Sequence, residues 1–139
     1  MADPATDRFV AQIPGLLAEL ERRAQALFDL TLTPTTDSLP ALEQIARFLR
    51  QARASFDEQD QRINILLLGA YLGEIVRRQR GGAWRVEPAL GLPLVDLSDG
   101  TSWSPMDAAR LRLEAETGAF HLPQEAETVA RHSTSARPR

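Results

Sequence analysis

Between Leu66 and Val76 the chain reads LLLGAYLGEIV, and no other stretch narrows the possible folds so far. At 100° per residue, Leu66, Leu68, Gly69, Ala70, Leu72, Gly73 and Val76 spread over a wide arc of a helix, so other elements have to pack around it. The apolar run over residues 65–73 is about half of a bilayer crossing, which leaves the chain itself to supply the cover. Gly69 and Gly73 lie one turn apart, and each costs about 1 kcal/mol relative to alanine in a helix interior, which predicts close approach of another element. Ser55 and Glu58 stand at capping-box spacing and predict the start of this helix. Arg77, Arg78 and Arg80 suit its negative end and Gly81-Gly82 its stop, giving a helix from about 55 to 79.

Twenty alanines and twenty leucines against five isoleucines and five valines favour helix over strand elsewhere as well. Ile13, Leu17, Leu20, Ala24, Leu27 and Phe28 recur at helical steps and predict a first helix over 15–29, with Pro14 and Gly15 separating it from a short opening turn at 5–12. Residues 31–38 (TLTPTTDS) read as a loop. Asp37 or Ser38 then caps a second helix, striped by Leu42, Ile45, Ala46, Leu49 and Ala52, to about residue 54. After Gly82 the pattern changes to strands. Residues 83–87 and 92–97 flank a turn at Pro88–Gly91, and Ser98-Asp99-Gly100 leads into 101–103 as a short third strand. Ser104 and Pro105 open a last helix carrying Met106, Ala109 and Leu113, with Gly118 past its end. The fold class is therefore α+β: three N-terminal helices, a small antiparallel sheet of two or three strands and one C-terminal helix, forming a single domain over 1–122. Residues 123–139 read as a polar, disordered or weakly helical tail.

With 139 residues and 43% hydrophobic content the chain can bury a real core. It has no cysteine, which removes disulfides, thiolate metal sites and a cysteine nucleophile. All sixteen basic residues are arginine. The absence of lysine removes Schiff-base and P-loop chemistry, although G- and C-rich codons account for an arginine bias equally well. A net charge of −3 speaks against nucleic acid as a partner. With no basic signal start in residues 1–8 and no membrane-length segment, a cytoplasmic protein without a membrane partner is expected.

Signatures of catalysis are missing. There is no G-x-S-x-G turn, and the two histidines, His121 and His132, have no ligand at helical spacing, so neither a catalytic residue nor a metal site nor a cofactor is expected. Asp96 and Asp99 read as turn residues of the hairpin. Trp84 and Trp103 read as anchors of the sheet. The pattern worth testing is a stripe on the third helix, where Asp60, Asn64, Leu67, Tyr71, Glu74 and Arg78 share one face. Such a stripe is a solvated surface with a Glu74–Arg78 pair, the floor of a cleft with Tyr71 as donor, Glu74 as base and Arg78 as anion clamp, or a partner interface.

The segment Leu68–Val86 (LGAYLGEIVRRQRGGAWRV), with Asp99-Gly100, Pro105 and Arg110–Leu113 after it, resembles a bacterial family of uncharacterised function. Its members pair an L-G-x-Y-x-G-E helix with a G-G-x-W strand, a D-G hairpin and a proline-started basic helix. The likeness covers about 60–120 and implies the same α+β order and the pairing of Tyr71 and Glu74 with Trp84, but no activity. The expected function is a non-catalytic protein-interaction module, of accessory, immunity or chaperone-like kind, engaging a protein partner or a second copy. The alternative is a small enzyme or ligand-binding protein with a Tyr71/Glu74/Arg78 pocket. Asn64, Tyr71, Glu74, Arg78 and Trp84 are the candidate binding residues.

Overall fold

The helix expected around Leu66–Val76 is the centre of the structure. A computed structural model describes residues 3–114, 120, 122 and 123 and contains α1 (Pro4–Phe28), α2 (Leu39–Gln51), α3 (Glu58–Arg80), β1 (Gly82–Glu87), β2 (Leu92–Leu97), β3 (Ser102–Trp103) and α4 (Pro105–Glu114). This is the expected α+β arrangement. The three antiparallel strands lie in the order β1-β2-β3, with Trp84 opposite Val95 and Val95 opposite Trp103. Every residue of α3 from Leu67 to Val76 is buried.

The two glycines of α3 are explained by what presses on them. A methyl group on Gly69 would overlap the Met106 sulfur of α4, and one on Gly73 would overlap the Trp84 ring and meet Pro105 Cγ at 2.9 Å. Helix α4 and the sheet thus lie directly against the α3 backbone on this side.

Helix α1 corrects the first sequence expectation. Pro14 lies inside one continuous helix of 25 residues capped by Asp3, whose carboxylate accepts from the Thr6 N–H. An interior proline costs about 3 kcal/mol. Phe9 and Ile13, however, extend the buried row of Leu17, Leu20 and Ala24, and each buried side chain of this size contributes about 1.5–3 kcal/mol. Two such residues offset the proline, and the helix runs through it. At its other end Asp29 adopts the left-handed conformation (φ 55°) and its N–H bonds the Gln25 carbonyl.

The helix caps also differ from expectation. The α3 cap is Asp57, whose carboxylate accepts from the Asp60 N–H at 2.7 Å. Ser55 belongs instead to a 3-10 turn, Arg53–Ser55, that follows the earlier end of α2 at Gln51. Its backbone N–H is committed to the Ala52 carbonyl, and Phe56 is extended, so the helical path restarts only after Asp57. Ser38 precedes α2 without capping it, because its hydroxyl accepts from the Thr33 N–H and holds the preceding loop. Ser104 does cap α4, accepting from the Asp107 N–H at 3.1 Å.

Side chains distant in sequence tie the last helix down. Arg112, 3% exposed, donates to Glu43 of α2 at 2.7 Å, and the other oxygen of Glu43 accepts from the Phe120 N–H at 2.5 Å. Arg53 donates to the carbonyls of Leu113 and Glu114, which face the end of α4 without helical donors. Asp99 is the turn residue expected, accepting from the Thr101 N–H, whereas Asp96 sits within β2 and pairs with Arg85 and Ser102. The expected stop at Gly118, both histidines and residues 124–139 of the tail lie outside the described residues. Among the described residues, no helix is long and apolar enough to cross a membrane.

Candidate functional site

Helices α1 and α3 run antiparallel. The start of α1 reaches β1, where the Thr6 hydroxyl accepts from the Val86 N–H at 3.0 Å, while Leu20 and Ala24 lie beside Leu67. The middle of the α3 stripe, Leu67, Tyr71 and Glu74, is therefore buried against α1, while Asp60 and Arg78 at its two ends are exposed. Tyr71 is 0% and Glu74 3% exposed. The reason is economy of faces: α4 and the sheet occupy the glycine side, and the buried row of α1 takes the other.

A buried carboxylate is tolerated only when charged or polar donors surround it. Glu74 has four such bonds. Arg77 donates through Nε to Oε1 at 2.5 Å and through Nη2 to Oε2 at 3.0 Å. Arg78 Nε donates to Oε2 at 3.0 Å, and Trp84 Nε1 to Oε1 at 2.9 Å. Burial pushes the Glu74 pKa up, but the bonds from Arg77, Trp84 and Arg78 outweigh it and hold it at about 2. Glu74 is thus an ionised anchor, with its oxygens occupied, rather than a proton acceptor near neutral pH. Tyr71 does not pair with Trp84. Its hydroxyl donates to Glu21 of α1 at 2.8 Å, and burial together with that carboxylate raises its pKa above the ordinary tyrosine value.

Trp84 is the hub between the carboxylate and the core. Its ring meets Phe9 edge-on at 5.1 Å and covers Gly73 on its other contact. Beside it opens a cleft of about 610 Å³ walled by Val10, Ile13, Pro14 and Leu17 of α1, with Glu74 and Arg78 across from them. The structure thus brings Glu74, Arg78 and Trp84 to one cleft, with Tyr71 bonded to Glu21 on its wall. Asn64 is elsewhere. It lines a second, more apolar groove of about 380 Å³ with Leu27, Phe28, Phe48 and Phe56, between α1, α2 and the first turns of α3.

Arg77 and Glu21 belong to the site and are absent from the sequence candidates. Arg77 was open to detection, since it stands three residues after Glu74 at a helical ion-pair spacing. Glu21 gives no such signal, being 50 residues from Tyr71. Among the described residues no cluster of histidine, aspartate and glutamate could hold a metal ion. No family model, curated protein or solved structure matches the chain.

Proposed function

We propose that the chain is a non-catalytic protein-interaction module whose partner docks on the apolar groove between α1, α2 and α3. The supporting observation is the mouth of that groove, where Leu27 is 69% and Phe48 47% exposed beside a fold that buries its other aromatic rings more deeply. Phe48 is held edge-on to Phe28 at 5.1 Å, which presents it as an ordered surface rather than a loose side chain. Ordered aromatics on a concave apolar surface are the usual anchors of a docked helix. Light scattering of wild type and Phe48→Asp tests for a second copy, and affinity capture from the host cell tests for another protein. A dimer or a captured protein lost in Phe48→Asp, with circular dichroism unchanged, supports the reading. Capture that Phe48→Asp leaves intact, or a monomer that captures nothing, overturns it.

A second reading, a ligand-binding protein, is supported by the separate cleft at Trp84 and Arg78. The saturated Glu74 carboxylate supports binding there over acid–base catalysis.

A further inference from the structure

We propose that the cleft between α1 and β1 binds a monocarboxylate with an apolar body, its carboxylate held by the terminal nitrogens of Arg78. This rests on the ligand-binding reading and names the ligand class. Arg78 spends only Nε on Glu74, and its two Nη groups make no hydrogen bond within the described chain. Its side chain is 48% exposed and lines the cleft. Because Nε is fastened to a buried, ionised carboxylate, the guanidinium plane is set before any ligand arrives. A planar fork with two free donors matches a carboxylate.

The backbone adds donors of its own. The Val86 N–H points away from β2 to Thr6, and alternate residues of a strand direct their N–H groups to the same side, so Trp84 and Gly82 present theirs along the unpaired edge of β1. Both residues line the cleft. Opposite them, Val10, Ile13, Pro14 and Leu17 supply an apolar wall for the rest of the ligand. The charges at the cleft, Arg77 and Arg78 against Glu21 and Glu74, sum to zero. A net-neutral site has no long-range field to gather a polyanion, so recognition is local and suits one negative charge.

The test is ¹⁵N NMR of the full chain with the two indole N–H signals as reporters, assigned through Trp103→Phe. Octanoate, octanol and acetate are titrated in turn into wild type and Arg78→Gln. Octanoate should shift the Trp84 indole saturably, with octanol, acetate and octanoate on Arg78→Gln each weaker by about tenfold or more. An unchanged Trp103 signal shows that Arg78→Gln is folded, and Arg78→Lys, which keeps charge but not the fork, should fall between the two. Equal binding of octanol, or no loss in Arg78→Gln, overturns the carboxylate assignment while leaving a ligand-binding cleft. No response at Trp84 to any probe, or a response confined to the Phe48 groove, overturns both.

Discussion

The indole N–H of Trp84 donates to the buried carboxylate of Glu74 at 2.9 Å, joining the edge strand of the sheet to the central helix. Hydrogen bonds to charged groups contribute about 1.5–3 kcal/mol, so Trp84→Phe should cost at least that much, before counting lost packing on Gly73. Urea denaturation of Trp84→Phe measures it, and a loss below about 0.5 kcal/mol would remove the bond from any structural role.

The same carboxylate makes stability depend on acid. Its pKa lies at about 2 in the folded chain against an ordinary 4.5, so on acidification the unfolded chain takes up the proton first. The stabilisation is complete above about pH 5 and is lost as pH falls from there toward about 2. Glu74→Gln lacks this contribution, so its deficit against wild type, on the order of 3 kcal/mol at neutral pH, should shrink over that window. Denaturation midpoints at several pH values give the comparison, and a deficit independent of pH contradicts it.

Alanine at Gly69 or Gly73 gains helix propensity of about 1 kcal/mol and loses more by overlap. Gly73→Ala should be the worse, because its neighbours are the Trp84 and Pro105 rings, whereas Gly69 meets first the flexible end of Met106. Thermal unfolding should place Gly73→Ala below Gly69→Ala, and both below wild type.

Pro14→Ala restores an N–H where α1 is continuous. Regaining helix geometry, less about 1 kcal/mol of added freedom in the unfolded chain, should leave the variant more stable by about 1–2 kcal/mol. Were α1 broken at Pro14, the substitution would be neutral or harmful in the same denaturation experiment.

Two arginines of α4 should separate clearly in stability measurements. Arg112→Ala removes a buried partner from Glu43 and should cost about 3 kcal/mol or more, while Arg110→Ala, whose pairs with Asp107 and Glu114 are solvent-exposed, should change stability by less than about 0.5 kcal/mol.

What could be read along the chain was local. The stop at Gly81-Gly82, the β2 span, the Ser104 cap and the Asp99 turn each follow from the conformational needs of one or two residues, and the structure has them. Ser55 carried the expected cap of α3, but the 3-10 turn after α2 takes up Ser55 and moves the cap to Asp57. Pro14 looked like a boundary because a break signal is visible locally, whereas the burial of Phe9 that overrides it depends on where Trp84 ends up.

The sequence by itself determined that a wide apolar helix with two bare positions must be enclosed, and that helices and a small sheet are available to enclose it. Only the tertiary structure decided what became of the Tyr71–Glu74–Arg78 stripe. A charged face meets protein here through near and distant donors together: Arg77 and Arg78 on α3 itself and Trp84 from the sheet for Glu74, Tyr71 for Glu21 across 50 residues, and Arg112 for Glu43 across 69. A carboxylate flanked by arginines on its own helix looks the same in sequence whether it is buried or bound for solvent, because the free energy that buries it belongs to the assembled contacts and not to the helix alone.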